Sequence, residues 1–159
     1  MQAIIMAGGE GSRLRPLTCD IPKPMVRLCG RPILEYIMDW LLLHQVTQAT
    51  LTLGYLPKVI QNHFPDQRYH DMHLQFVLEE SPLGTAGGVK QAAKGINEDF
   101  LVVSGDALCD YDLTDAYRFH LKSQADVTLI ATPVTDPREY GLLLTDSNNT
   151  IQGFCEKPS

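Results

Sequence analysis

No pair of cysteines in this sequence has the C-x-x-C spacing of a zinc site or a redox motif; Cys19, Cys29, Cys109 and Cys155 lie scattered along 159 residues. That scatter argues for free thiols in a reducing cytosol rather than for disulfides or bound zinc. Positive charge is also scarce. Thirteen Lys and Arg stand against 19 Asp and Glu, a formal charge of -6, which argues against a general binder of nucleic acid or membrane surfaces. An anion site must then concentrate basic groups locally or import a metal cation. No apolar run approaches the length of a bilayer span, and the N-terminus lacks the basic-then-apolar layout of a secretory signal. A cytoplasmic location is the expectation.

What is present suits a layered domain. At 44% hydrophobic residues the chain is long enough for a substantial core. Apolar, β-prone runs recur as QAIIM (2–6), ATLTL (49–53), LQFVL (74–78), FLVVS (100–104) and VTLIAT (127–132). Helical patterns lie between them. In RPILEYIMDWLLLHQ, residues Ile33, Leu34, Ile37, Met38, Leu41 and Leu42 repeat at helical spacing, with Pro32 suited to the first turn. LPKVIQNHF, GTAGGVKQAAKG and LTDAYRFHLKSQ read as three further helices, the last capped by Asp112 or Thr114. Alternating strands and helices predict an α/β fold, a Rossmann-like, mostly parallel sheet flanked by helices. Two short strands, GLLLTD and TIQGFCEKP, follow, split by the turn residues SNN.

The first strand opens into AGGEGSRLRPLTCDIPKP (7–24), with three glycines, two arginines, a lysine and three prolines. It is neither of the common phosphate loops. A Walker loop needs G-x-x-x-x-G-K-[ST], and a dinucleotide fingerprint needs G-x-G-x-x-G running straight into a helix. Here Leu14 stands where the third glycine belongs, and Pro16, Pro22 and Pro24 forbid a continuous helix. The segment must wrap its ligand as irregular backbone. Successive amides of Gly8 to Ser12 can form an anion-binding concavity, Arg13 adds a charged fork, and Lys23 is fenced by two prolines. Each residue alone suits an ordinary surface turn; the set after a first strand points to phosphate.

These residues carry a family resemblance. GGEGSRLRPLT, PKPM and GRPIL, then PLGTAGG (82–88), SGDALCD (104–110), YG (140–141) and EKP (156–158), resemble the signature of the sugar nucleotidyltransferases in the same order. Within that family the wording is most similar to mannose-1-phosphate guanylyltransferase-like proteins. The resemblance implies an enzyme that joins a nucleoside triphosphate to a sugar 1-phosphate and releases pyrophosphate, with Mg²⁺ as cofactor. It also implies that residues 1–159 are the N-terminal, nucleotide-binding part of one nucleotidyltransferase domain whose C-terminal part is missing. GTP with mannose 1-phosphate is the favoured pair. Thymidylyl or uridylyl transfer to glucose 1-phosphate, a regulatory subunit that binds nucleotide sugars without turnover, and a fragment that binds triphosphate but turns over poorly remain alternatives.

The resemblance also assigns roles. Arg13, Lys23 and Asp106 are the catalytic candidates: Arg13 on the leaving pyrophosphate, Lys23 against the α-phosphate, and Asp106 as the metal ligand. Asp106 follows FLVVSG at the carboxyl end of a predicted strand, where open α/β sheets place their ligand crevice. Ala7, Gly8, Gly9, Gly11, Ser12 and Arg13 are assigned to the nucleotide, together with Glu80, Gly84, Thr85 and Ala86 around its base. A carboxylate accepts the N1–H and N2–H₂ donors of guanine, and of the adjacent pair Glu79 and Glu80 the second is the candidate reader. Gly141, Glu156 and Lys157 are assigned to the sugar phosphate. A second metal carboxylate is expected beyond Ser159. No nucleic-acid or membrane partner is implied, and self-association into a homo-oligomer stays open.

Other residues favour plainer readings. Arg15 matches a basic family position but equally suits the surface. His70 and His73 have an H-x-x-H spacing, yet their polar surroundings before a strand favour a solvated loop over a metal site. Asp110 and Asp112 read as turn or capping residues, and Trp40, off the main apolar face of its helix, as ordinary packing rather than a subunit contact.

Overall fold

The first apolar run becomes a central strand. The computed structural model describes residues 1–81, 83–136, 138 and 140–156; in it β1 spans Gln2–Met6 and buries Ala3, Ile4 and Ile5. The glycine-rich stretch follows as irregular backbone with single 3-10 turns at Ser12–Leu14 and Lys23–Met25. A minimal antiparallel ribbon of β2 (Arg27–Leu28) and β3 (Arg31–Pro32) leads into α1 (Ile33–Leu43). Then come β4 (Gln48–Leu53), α2 (Pro57–His63), β5 (Arg68–Tyr69), β6 (Met72–Leu78), α3 (Gly84–Ala92) and β7 (Phe100–Ser104). These elements belong to one unit, Met1–Asp112.

Burial explains why they form. On α1 the side chains of Leu34, Ile37, Met38 and Leu41 are buried at the expected helical spacing. Each such side chain contributes roughly 1.5–3 kcal/mol relative to an exposed one. Trp40 is buried too: its indole N–H donates to the Tyr111 carbonyl at 3.1 Å, and the two rings meet edge-on at 5.1 Å. This is internal packing, as expected. β4 is buried over its last five residues, the mark of a strand covered on both faces, whereas β6 alternates buried Met72 and Leu74 with exposed His73 and Gln75.

The sheet runs in the order β5-β6-β4-β1-β7, mostly parallel and flanked by helices; β5 is the antiparallel exception. Ile5 is in register with Leu51 on one side and Val103 on the other. The chain leaves β1 towards β4 and β6, then returns to place β7 on the far side of β1. The order therefore reverses between β1 and β7, and such a switch point, at the carboxyl ends of parallel strands, is where ligands bind in open α/β sheets.

The second unit, Leu113–Ser159, holds α4 (Leu113–Ser123) and the hairpin of β8 (Gly141–Thr145) and β9 (Ile151–Glu156). The turn forms as expected: Asp146 Oδ1 accepts from the amides of Asn148 and Thr150 at 2.8 and 2.9 Å, and Asn149 has φ 62°. The strand expected at 127–132 does not form. Val127, Leu129 and Ile130 are 71%, 45% and 46% exposed, and among the described residues no strand pairs with the segment. β-prone composition fits a side chain to a half-buried ladder, and without a neighbouring ladder the segment stays irregular. Among the described residues no helix is long and apolar enough to cross a membrane.

Candidate active site

A cleft of about 230 Å³ opens at the switch point, lined by Met6, Ala7, Gly9, Gly11, Arg13, Leu14, Lys23, Pro24 and Asp106. Its floor is the junction of β1 and β7, where the amide of Gly105 donates to the Met6 carbonyl at 2.8 Å. The approach is close enough that a Cβ on Gly105 would stand 2.8 Å from that same oxygen, so glycine is required there. Asp106, one residue on, is thereby turned into the opening.

The other wall is the glycine loop. Gly11 takes φ 62°, the left-handed region that favours glycine, and its carbonyl accepts from the hydroxyl of fully buried Thr18 at 2.8 Å. From that bend the turn at Ser12–Leu14 carries Arg13 to the rim. Arg13 is exposed and, among the described residues, has no ion-pair partner, so its five donors are free for an anion. Arg15 stays on the surface, 3.6 Å from Glu10. The proline fence works as expected: Pro22 is extended, Pro24 and Met25 are buried, and the turn between them presents Lys23 to the cleft.

There Lys23 Nζ lies 2.6 Å from Asp106 Oδ2, while the Ser104 hydroxyl donates to Asp106 Oδ1 at 2.6 Å. Burial pushes the Asp106 carboxyl up, but the Lys23 and Ser104 hydrogen bonds outweigh it and hold the group below its ordinary range. It is an anion at neutral pH. A lone carboxylate in a phosphate-sized cleft suits Mg²⁺, which is commonly held by one or two carboxylates plus substrate phosphates. Among the described residues no group of three His, Cys, Asp or Glu is placed to hold a metal; His70 sits in the turn before β6 with φ 49° and His73 lies within β6.

Not every expected residue faces this cleft. Gly8 turns away from it: its carbonyl accepts from the Tyr55 amide at 3.0 Å, and a Cβ on it would lie 3.3 Å from Glu79 Oε1. Ser12 begins the turn and is exposed. Gly84, Thr85 and Ala86 form the exposed first turn of α3. Between the loop and that helix stands Glu79, not Glu80. The Glu79 amide donates to the Leu53 carbonyl at 2.8 Å, and its Oε1 is so close to Gly88 that a Cβ there would approach to 2.6 Å. Glu80 is exposed. In the second unit, Gly141 and Glu156 are paired in register, with Glu156 Oε2 within 2.9 Å of where a Gly141 Cβ would stand. Lys157 lies outside the described residues.

Sequence reading passed over two further residues that shape the loop. Thr18 is buried and bonds Gly11, and Tyr55 reaches the loop from the end of β4. A signal for the second exists: GY follows ATLTL as AGG follows QAIIM and GD follows FLVVS, a glycine close behind each strand.

Residues 2–159 match the family described as nucleotidyl transferase. A mannose-1-phosphate guanylyltransferase of Mycobacterium tuberculosis is 36% identical over 99% of this chain and 44% of its own length. Mannose-1-phosphate guanyltransferase 2 of Candida glabrata is 35% identical over 99% of this chain and 45% of its own. The chain thus spans about half the length of these curated relatives. Among solved structures, HddC from Yersinia pseudotuberculosis complexed with GMP-PN is 31% identical, with a TM-score of 0.77 over 99% of this chain and 70% of that one. A UDP-glucose pyrophosphorylase complexed with UDP-glucose has a TM-score of 0.79 at 18% identity, over 99% of this chain and 68% of that one, and shares the fold. A glycine loop, a proline-fenced lysine and a strand-end aspartate, gathered at the switch point of a chain matched along nearly its whole length, lead to one conclusion: this chain belongs to the nucleotidyl transferase family.

Proposed function

We propose that the protein transfers a nucleotidyl group from a nucleoside triphosphate to a sugar 1-phosphate, with GTP and mannose 1-phosphate as substrates. The observation that carries this reading is the meeting of Arg13, Lys23 and Asp106 around one cleft at the β1/β7 switch point.

The reaction asks little covalent chemistry of the protein. A phosphate oxygen of the sugar 1-phosphate attacks the α-phosphorus, forming one O–P bond. The bond from that phosphorus to the bridging oxygen breaks, and its electron pair leaves on pyrophosphate. The nucleophile is already an anion, so no general base is needed. What the site must do is hold two polyanions in line and oppose the charge that grows on the leaving group. Arg13 and the amides of the glycine loop are assigned to the pyrophosphate, and Lys23 to the α-phosphate. A charged donor in such a role contributes about 3 kcal/mol of transition-state stabilisation. Asp106 is the residue that would hold Mg²⁺, which when bound supplies positive charge to phosphate oxygens.

The base is assigned to the space between the loop and α3. Glu79 stands there, between Gly8 and Gly88, and a carboxylate in that position accepts the N1–H and N2–H₂ of guanine. The guanyltransferase names of the relatives and the GMP-PN on HddC support guanine over uracil or thymine. Gly141, Glu156 and Lys157 are assigned to the sugar phosphate.

The test is to incubate the protein with Mg²⁺, mannose 1-phosphate and each triphosphate in turn, and to follow pyrophosphate. Release with GTP supports the reading. Release restricted to UTP or dTTP overturns the base assignment, and binding of nucleotide without release with any pair would favour a binding role instead.

A further inference from the structure

Tyr55 touches the glycine loop at two points, near its start and at Thr18–Cys19. Its amide donates to the Gly8 carbonyl at 3.0 Å, and its single phenol O–H is shared between the Cys19 carbonyl at 2.8 Å and the Thr18 carbonyl at 3.1 Å. Between those anchors the loop is held by short-range bonds of its own, Leu14 to Gly11, Leu17 to Leu14 and Cys19 to Pro16. Such turns fix local shape but do not fix where the limb stands relative to the sheet. Among the described residues, the hydrogen bonds that join residues 11–22 to a strand end come from the Tyr55 phenol.

The chain of contacts continues to the cleft. Thr18, whose carbonyl Tyr55 grips, is fully buried and donates its own hydroxyl to the Gly11 carbonyl at 2.8 Å. That carbonyl belongs to the residue in the left-handed bend, from which the next turn carries Arg13 to the rim. We propose that Tyr55 is a positioning residue for the triphosphate: through Thr18 it sets the Gly11–Arg13 limb at the distance from Lys23 and Asp106 that the phosphate chain requires. It touches no reacting atom. Ordering the limb before the ligand arrives spares the cost of ordering it on binding, so the effect is on affinity. The inference rests on the nucleotide reading above.

The experiment compares Tyr55→Phe with the parent protein and with Tyr36→Phe. Tyr36 is the matched control, because its phenol also donates to a backbone carbonyl, that of Leu28 at 3.0 Å, away from the cleft. Amide hydrogen exchange without ligand should speed up at Leu14, Leu17 and Cys19 in Tyr55→Phe by roughly 5- to 30-fold, the factor for losing one or two such bonds. The dissociation constant for GTP with Mg²⁺ and the KM for GTP should rise by roughly tenfold, with kcat changed by less than about threefold. Tyr36→Phe should move none of these. Unchanged loop exchange and GTP affinity in Tyr55→Phe overturn the proposal. So does a fall in melting temperature shared by both variants with equal loss of affinity, which marks general destabilisation. A parent protein that binds no triphosphate overturns the nucleotide reading and this role together, and faster loop exchange in Tyr55→Phe would then show only that the phenol orders the loop.

Discussion

Lys23 Nζ and Asp106 Oδ2 stand 2.6 Å apart across the cleft, the lysine presented by a proline-fenced turn and the aspartate by a glycine pressed against β1. Both side chains remain about a third exposed, at 32% and 28%, so the pair contributes little to folding. Its interest is that both partners are the groups assigned to substrate and metal. Without ligands, each neutralises the other.

A competition follows. Lys23→Met removes the cation that Asp106 already holds, so Mn²⁺ should bind the nucleotide-free variant tighter by roughly two- to fivefold, the worth of a partly exposed ion pair. Electron paramagnetic resonance of free Mn²⁺ reads this directly. Turnover should move the other way, with kcat/KM for nucleotidyl transfer falling about 10²-fold or more, as for loss of a charged donor. Weaker Mn²⁺ binding in Lys23→Met would mean that the lysine does not stand in for the metal.

Base choice should depend on Glu79 and not on its neighbour. Glu79 lies between Gly8 and Gly88, while Glu80 is exposed. Glu79→Gln removes the charge and exchanges one of two acceptor oxygens for a donor, and should cut the preference for GTP over UTP by roughly 10- to 100-fold, the scale of a hydrogen bond to a charged group. Glu80→Gln should leave it within about twofold. The ratio of kcat/KM values for the two triphosphates is the measurement, and the reverse ranking would return the role to Glu80.

The difference between those two glutamates shows where sequence reading stops. QAIIM and FLVVS are strands at the boundaries expected, because small residues close each apolar run, although only Val103 of FLVVS is buried whereas Ala3, Ile4 and Ile5 of QAIIM all are. That Arg13, Lys23 and Asp106 line one cleft was legible for a related reason: each is tied to a backbone punctuation, a glycine or a pair of prolines, that needs no partner to be recognised. Glu79 was not, because its placement depends on an amide bonded to Leu53 of another strand. Tyr55 escaped for the same cause, its phenol reaching carbonyls 36 and 37 residues away. VTLIAT failed in the opposite direction, a good local pattern with no partner strand among the described residues.

Gly105 should tolerate no side chain. Gly105→Ala sets a methyl 2.8 Å from the Met6 carbonyl and 3.3 Å from Pro24 Cγ, and neither neighbour is a flexible side-chain end. The two strands must part or Asp106 must turn. Overpacking of this kind costs about 1–3 kcal/mol, and denaturant unfolding should show a loss of that size with an unchanged slope. Activity should fall further than stability does, because the displaced residue carries Asp106. A variant with parental stability and turnover would show that the junction has slack that the 2.8 Å approach does not suggest.

Away from the cleft, acid should undo a second charge cluster. Arg31 donates to Glu35 at 3.1 Å and to Asp39 at 2.7 Å, Tyr69 donates to Asp39 at 2.7 Å, and His63 lies 2.8 Å from Glu35. Burial pushes the Asp39 carboxyl up, but hydrogen bonds from Tyr69 and Arg31 outweigh it and hold the group below its ordinary range; Glu35 is lowered likewise, against burial, by His63 and Arg31. A carboxyl depressed in the folded state stabilises at pH above its unfolded value, roughly 4, and that contribution is lost as pH falls through the lower folded value. Melting temperature should therefore hold steady from neutral pH to about 4 with respect to these groups and fall beneath it. Asp39→Asn should melt lower at pH 7 and show a shallower acid limb, since one of the depressed carboxyls is gone. Parallel acid limbs in the variant and the parent, followed by circular dichroism, would show that Asp39 does not take part in the acid transition.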